Sequence, residues 1–367
     1  MIRKAPVVFA SLLILTFLVP TAAAATEQTL AMKEEVFGVD KLEYAADRAG
    51  GIAEYGATLD EGLLQLVETA ARSLGGIMRD ALRTGVILMV IVMFCTLAYA
   101  LDGLVGKMTP SVVTLTGSLA IAAVSVSDVN VMLGLGKDTV ERIRDFANVL
   151  LPIVAAVTAA TGAVTGAAVR QMAAVLFSSL LINLINNVLI PILYAYLAMS
   201  VACAALGNEG LKKLGGFLKW GAVTILCGVM VVFVGYLTVS GVVAGSADAM
   251  AIKTAKFAIS GAIPVVGGIL SDAAETVLSS AGVLRGSVGV FGAVTILGLC
   301  LLPLLRIAAH YLVYKLVAAF SGMVGPPQIC TLVDQIGGAF GLMLGMTGAC
   351  GLLILIALVS SVTAVSA

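Results

Sequence analysis

Two pairs of charged residues on either side of a proline–glycine sequence are the first candidates for a functional site. The members of each pair are three residues apart, which places both on one face of a helix. The proline and the two glycines between the pairs predict a broken or re-entrant helix near Pro264. Folding at this break would bring two cations opposite two anions. The residues concerned are Lys253, Lys256, Pro264, Gly267, Gly268, Asp272 and Glu275.

These charges support two interpretations. In the first, they form a polar, ion-lined element of a pathway across a membrane. In the second, which is favoured, they rest at the interface on both sides of a segment that dips into the membrane. A charge in lipid costs about 2.5–3.5 kcal/mol even on lenient scales, so an unpaired charge at that depth needs a functional reason. Irregular backbone there must be buried in protein or face a watery cavity.

Three asparagines, Asn183, Asn186 and Asn187, cluster on one face of an otherwise apolar stretch. They either line a polar route or form hydrogen bonds with neighbouring helices, and the second interpretation is favoured.

Another group of polar and aromatic residues begins with Arg306 and His310, which are one helical turn apart. A proton relay is one interpretation, but an interfacial belt of snorkelling and aromatic side chains is favoured. Its members are Arg306, His310, Tyr311, Tyr314 and Lys315.

The residues needed for common enzyme chemistry are scarce. His310 is the only histidine, which leaves little material for a histidine metal site or a Ser-His-Asp triad. The six cysteines lie mostly in apolar runs without a CxxC spacing, and we interpret them as small membrane-core residues. The sequence contains no P-loop, HExxH motif or nucleophile elbow. We therefore expect no enzyme activity, cofactor or metal.

Composition indicates a chain surrounded by lipid. Of the 367 residues, 60% are apolar and 11% are charged, whereas a soluble domain carries about 25% charged residues. The numbers of basic and acidic residues are equal, at 21 each, which does not favour a nucleic-acid partner. The composition predicts an all-α, polytopic helical membrane protein.

The N-terminal region predicts export followed by an amphipathic helix. Residues 1–25 contain Arg3, Lys4, an apolar core and an alanine-rich cleavage pattern, as in a signal peptide. Residues 26–84 are expected to be extracytoplasmic. From Leu59 to Ala81, apolar residues recur at helical spacing with charged residues on the other face.

Residues 85–367 are expected to form a multi-spanning domain with about seven crossings, since a spanning helix needs about 20 apolar residues. The candidate stretches include 111–126, 149–169 and 171–206, the last long enough for two passes with a break at Pro191. Gly337, Gly341 and Gly345 recur at spacing four and predict close helix packing, within the chain or between copies of it.

Several motifs in the second half of the chain resemble those of a known family. They are T-A-K-F at 254–257, I-P-V-V-G at 263–267, S-D-A-A-E-T-V-L-S at 271–279, G-x-x-G-V at 286–290, Y-K-L at 314–316 and G-P-P at 325–327. In order and spacing they are similar to the stage III sporulation protein AE family. The resemblance is clear from residue 241 to the C-terminus and looser over 151–245, and residues 26–84 have no matching motif.

This resemblance implies a role in endospore formation. It implies a position in the mother-cell membrane around the forespore, beside other stage III sporulation membrane proteins of a channel or secretion-like complex. It carries over no catalytic residues. The leading hypothesis is a membrane subunit of that channel complex. The alternatives are a stand-alone small-solute transporter and a non-conducting membrane scaffold for partner subunits, and self-association into a homo-oligomer stays open.

Overall fold

The computed structural model describes the backbone of residues 38–51, 55–105, 110–161, 164–262 and 267–363. Within these ranges, side chains are described for residues 38–51, 55–100, 112–161, 164–240 and 283–362. The expected signal peptide and the expected break at Pro264 lie outside the described residues. Apart from short turns and loops, these residues are helical and contain no strand, which confirms the all-α class.

Eight α-helices follow one another along the described chain. They are α1 (Val39–Ala49), α2 (Leu59–Val105), α3 (Pro110–Ala160), α4 (Val164–Leu184), α5 (Ile190–Leu206), α6 (Glu209–Ala262), α7 (Gly267–Ser321) and α8 (Pro327–Thr363).

Most of these helices are longer than a bilayer is thick. Helices α2, α3, α6 and α7 contain 47, 51, 54 and 55 residues. At about 1.5 Å per residue they extend about 70–80 Å, whereas the hydrocarbon core of a bilayer is about 30 Å thick. Six helical segments in the described part of the chain are long and apolar enough to cross a membrane: Leu59–Ala100, Val112–Ala160, Val164–Leu206, Glu209–Ser240, Val283–Ser321 and Pro327–Val362. The protein is therefore a multi-pass helical membrane protein.

The expected span 149–169 is divided between two helices. Helix α3 ends at Ala160 and α4 begins at Val164. Thr161 closes α3, because its backbone N–H and its hydroxyl both donate to the carbonyl of Thr158, at 3.1 and 2.6 Å. In contrast, the charged residues 137–145 do not interrupt α3, which also contains the expected span 111–126.

The expected break at Pro191 is replaced by a π-helical turn. Residues Ile185–Leu189 form this turn between α4 and α5, and the N–H of Ile190 donates to the carbonyl of Ile185. A proline ring clashes with the carbonyl four residues earlier, and a widened turn relieves that clash. The segment Val164–Leu206 therefore continues as one helical rod and counts as one candidate span.

Helices α7 and α8 form the antiparallel centre of the bundle. Gly337 of α8 lies against Tyr314 of α7, and Gly351 lies against Cys300. Residue numbers therefore rise along α8 in the direction in which they fall along α7. Small residues on α8 allow this close approach.

Helix α2 runs parallel to α7. Gly62 lies against Val294 and Gly85 lies against Val313, so both residue numbers rise together. The amphipathic residues 59–84 and the apolar residues 85–101 belong to this one helix.

Helix α3 runs antiparallel to α7. Tyr314 contacts Asp128, whereas Gly292 lies against Leu150. The short helix α1 packs on α3 and α7 and buries Leu42 and Ala46.

Helices α4, α5 and α6 cover the other side of α8. The hydroxyl of Tyr196 in α5 donates to the carbonyl of Gln335 at 2.8 Å. Lys219 of α6 lies against Gly338 of α8, and Leu226 of α6 lies against Gly345, so residue numbers rise together along α6 and α8. Helix α6 therefore runs parallel to α8 and antiparallel to α2.

Candidate functional site

A buried tyrosine joins two helices by polar contacts. Tyr314 of α7 is fully buried, and its hydroxyl lies 3.2 Å from Ser125 Oγ and 3.2 Å from Asp128 Oδ2 of α3. The Tyr314 ring packs on Phe340 of α8, with ring centroids 4.8 Å apart. Because a buried hydroxyl needs a hydrogen-bond partner, Ser125 and Asp128 fix the register of α3 against α7.

The residue after Tyr314 makes an ion pair with α8. Lys315 Nζ lies 2.6 Å from Asp334 Oδ1 and 3.3 Å from the carbonyl oxygen of Asp334. Both side chains are partly exposed, at 31% and 54%. The pair neutralises two charges at the edge of the bundle.

A lysine from α6 reaches the same level on α8. A Cβ added to Gly338 would lie 2.7 Å from Lys219 Nζ and 3.0 Å from the hydroxyl oxygen of Tyr196. The missing side chain at Gly338 leaves room for both polar groups. Together, these contacts define one level of the bundle, which we call the polar layer: Ser125, Asp128, Tyr196, Lys219, Tyr314, Lys315 and Asp334.

The favoured interpretation of the Arg306–Lys315 group as an interfacial belt is wrong for two of its members. His310 and Tyr314 are buried inside the bundle, and His310 stacks on Phe340 with ring centroids 5.8 Å apart. His310 Nδ1 lies 2.9 Å from the carbonyl oxygen of Arg306, one turn earlier. Both side chains are enclosed by neighbouring helices instead of lying on the outer surface, where belt residues would lie.

The structure places the three predicted packing glycines on two sides of α8. A Cβ at Gly337 would lie 3.3 Å from Tyr314 Cβ, and one at Gly341 would lie 3.1 Å from the Tyr311 ring. Gly345 faces α6 instead. The ridge therefore touches α7 at two positions and α6 at the third.

The three asparagines point outward. Asn183, Asn186 and Asn187 are all exposed, the last two within the π-helical turn. Asn186 also borders a small cavity with Thr347 of α8. Asn183 and Asn187 leave their amides on an outer surface that is otherwise apolar.

The side-chain positions of the seven predicted site residues around Pro264 remain untested. The two lysines belong to the last part of α6, and the two acids belong to the first part of α7, which begins with the two glycines. Pro264 and the side chains of all seven lie outside the described residues, so the expected pairing of Lys253 and Lys256 with Asp272 and Glu275 stays a prediction.

One outer surface of the bundle is charged. It consists of α1, residues 59–84 of α2 and residues 137–145 of α3, and we call it the charged face. Lys41, Arg48, Arg142 and Asp145 border a cleft of about 540 Å³ between α1 and α3. The other exposed charged side chains include Glu61, Glu68, Arg72, Arg79, Arg83, Lys137, Asp138, Glu141 and Arg144.

The apolar surfaces of α2 and α6 leave the polar layer in opposite directions. Gly85 of α2 lies against Val313 of α7, the neighbour of Tyr314. Tyr314 lies against Gly337 of α8, and the next residue, Gly338, lies beside Lys219 of α6, so Gly85 and Lys219 are at one level. From this level the apolar residues 85–101 of α2 extend one way, and the apolar residues 220–240 of α6 extend the other way, because the helices are antiparallel. Exposed residues on the two runs include Phe94 and Val231. A flat bilayer cannot cover both surfaces.

Sequence reasoning missed Asp128, Asp334, Tyr196 and Lys219. A signal was available for the two acids, because each is isolated within an apolar stretch, where a charge is costly. Among the residues that the structure describes, no group of three or more His, Cys, Asp or Glu side chains could hold a metal ion. The geometry provides ionic and hydrogen-bonding contacts between helices and a water-compatible outer surface.

Comparison with known proteins connects this architecture to sporulation. Residues 60–365, which extend from the first turn of α2 to just beyond the end of α8, match the family described as stage III sporulation protein AE. A curated relative, stage III sporulation protein AE of Bacillus subtilis (strain 168), is 22% identical over 250 residues, or 68% of this chain and 63% of that protein. The alignment thus spans less than two thirds of the relative. No solved structure matches the chain. Because the family match covers most of the chain, this protein belongs to the stage III sporulation protein AE family.

Proposed function

We propose that this protein is a membrane subunit of the channel complex that connects the mother cell with the forespore during endospore development. The observation that carries the proposal is the family match over residues 60–365, because it includes nearly all of α2 and the helices from α3 to α8. In this proposal the protein lies in the mother-cell membrane around the forespore. Its partners are other stage III sporulation membrane proteins of the same complex.

Compartment-specific complementation tests this proposal. The gene is deleted in an endospore-forming host and restored from a promoter active only in the mother cell or only in the forespore. We expect the deletion strain to complete engulfment and then fail in late forespore gene expression. Mother-cell expression should restore heat-resistant spores, and forespore expression should not. Normal sporulation of the deletion strain, or rescue from the forespore alone, would contradict the proposal.

A non-conducting scaffold is the second candidate, and the exposed apolar run 85–100 of α2 favours it. Met93 and Phe94 are exposed there, beyond the polar layer. Because a flat bilayer that covers residues 220–240 of α6 leaves this surface uncovered, a partner protein is suited to bind it.

Two substitutions separate the candidates. A scaffold predicts that Phe94→Gln removes partner subunits from the purified complex and blocks sporulation, whereas Arg144→Glu on the charged face is tolerated. A conducting subunit predicts that Arg144→Glu blocks sporulation while partners are retained. Partner retention is measured by purification from sporulating cells in mild detergent.

A further inference from the structure

The charged face lies at the same depth as an exposed apolar surface on the opposite side of the bundle. Leu226 of α6 lies against Gly345 of α8. Five residues farther along these parallel helices are Val231 and Cys350, and Gly351, next to Cys350, lies against Cys300 of α7. At equal rise per residue, Val231 is therefore level with Cys300.

The same level on α2 is occupied by a charged residue. Val294 of α7 lies against Gly62 of α2, and the two helices are parallel. Cys300 is six residues after Val294, so its counterpart on α2 is Glu68, which is exposed and pairs with Arg72.

Helix α3 presents charges at this level too. Leu150 lies against Gly292, and α3 is antiparallel to α7, so Cys300 corresponds to Arg142. Independently, Arg144 and Cys350 border one small cavity, which places the charged part of α3 at the level of Cys350. Glu141, Arg142 and Arg144 are exposed.

The two sides require different surroundings. Val231 is 70% exposed within an uncharged run of α6 from 220 to 240, which has the length of a bilayer crossing. Lipid is the natural surrounding of that run. At the same depth, lipid cannot solvate the exposed charges of the charged face, since each would be transferred out of water at a large cost.

We infer that the charged face borders water at the depth where α6 borders lipid, and that further copies of this chain enclose that water. This inference goes beyond the proposed sporulation role and does not rest on it. The segment 137–145 contains three cations, Lys137, Arg142 and Arg144, and three anions, Asp138, Glu141 and Asp145. This segment sums to zero, and α1 and residues 59–84 each carry one acid more than bases. Because both signs are interspersed over the whole face, copies of it can oppose one another with unlike charges paired.

Level-matched cysteines test for water. In a full-length background without the native cysteines, single cysteines replace Glu68, Glu141 or Val231, and open membrane fragments are treated with a charged, membrane-impermeant maleimide. We expect E68C and E141C to react at similar rates in membranes and after denaturation in SDS and urea. V231C should react about a hundredfold more slowly in membranes than after this denaturation, because the charged reagent does not enter lipid.

Both parts of the inference are exposed to failure. If E68C and E141C are as inert in membranes as V231C, the face is packed against protein without water. If V231C reacts as freely in membranes as in the denatured protein, the bilayer does not lie at this depth. Either result overturns the inference.

Cross-linking with a long bis-maleimide tests enclosure by copies of the chain. In membranes, E68C and E141C should give covalent dimers, and V231C should not. If E68C and E141C react with the charged reagent but give only monomers with the bis-maleimide, copies of this chain do not enclose the water and that part of the proposal fails.

Discussion

The fully buried Tyr314 of α7 lies beside the half-buried Asp128 of α3, with the tyrosine hydroxyl 3.2 Å from Asp128 Oδ2. Their helices are antiparallel, so this contact and the neighbouring contact to Ser125 hold one register between them. The polar layer therefore contains two kinds of link between helices. The ion pair between Lys315 and Asp334 is partly exposed, whereas the contact made by the Tyr314 hydroxyl is buried.

Replacing Tyr314 by phenylalanine tests this buried link. Tyr314→Phe retains the ring that packs on Phe340 but removes the hydroxyl, leaving Ser125 and Asp128 without this partner. We expect the free energy of unfolding to fall by about 1–2 kcal/mol. The measurement is thermal unfolding in detergent. Tyr311→Phe, on the adjacent turn of α7, is the matched control, and an equal loss of stability in both variants would contradict a specific role for the Tyr314 hydroxyl.

Two glycines of α2 should respond in opposite ways to the same substitution. A Cβ at Gly85 would lie 2.5 Å from Val313 Cγ1, whereas a Cβ at Gly76 would meet no atom within 4 Å. Gly85→Ala must push α2 away from α7, and we expect a loss of about 1–3 kcal/mol, as for an overpacked core. Gly76→Ala should increase stability by about 0.5–1 kcal/mol, because alanine favours the helix. Unfolding temperatures in the same detergent compare the two, and a stable Gly85→Ala variant would refute the close contact of α2 with α7.

The Gly337–Gly341–Gly345 ridge predicts a graded response to side-chain size. Gly341→Ala brings a methyl group to about 3.1 Å from the Tyr311 ring, which a small shift of the ring can relieve. Gly341→Leu cannot be accommodated in this way, so we expect it to separate α7 from α8 and to disrupt folding or assembly. Membrane accumulation and gel filtration measure the outcome. If Gly341→Leu accumulates and assembles normally, the glycine has no packing role.

Helix class and membrane insertion were predictable because they depend on local composition. Apolar runs with few charges identify spanning helices without knowledge of their neighbours. The continuity of α2 was harder to predict, because residues 59–84 and 85–101 have different compositions, but no strong helix-breaking residue such as proline separates them. Likewise, Pro191 is an obvious breaking signal, and only the π-helical turn before it explains why the rod continues.

The site was less predictable, since its features arise from the offsets between helices. The burial of His310 depends on which side of α7 meets α8, and sequence spacing alone does not settle that. The inference that the charged face borders water requires the knowledge that Glu68 and Val231 lie at the same level of the bundle. That relation depends on tertiary contacts such as Gly62 with Val294 and Gly345 with Leu226, each between distant parts of the chain.

The exposed asparagines lead to the last prediction. Asn183 and Asn187 are one helical turn apart and leave two amides on an apolar outer surface. An amide facing lipid lacks hydrogen-bond partners, whereas an amide at a helix–helix contact gains them, at about 0.6 kcal/mol for each bond. We expect Asn183→Leu combined with Asn187→Leu to weaken association of this protein with copies of itself or with partner subunits. Val188→Leu, an exposed neighbour of Asn187, is the control. Native gels of mild-detergent extracts measure the assembled fraction. If the double variant assembles like the control and unfolds at a higher temperature, the two amides face lipid and this surface is not an interface.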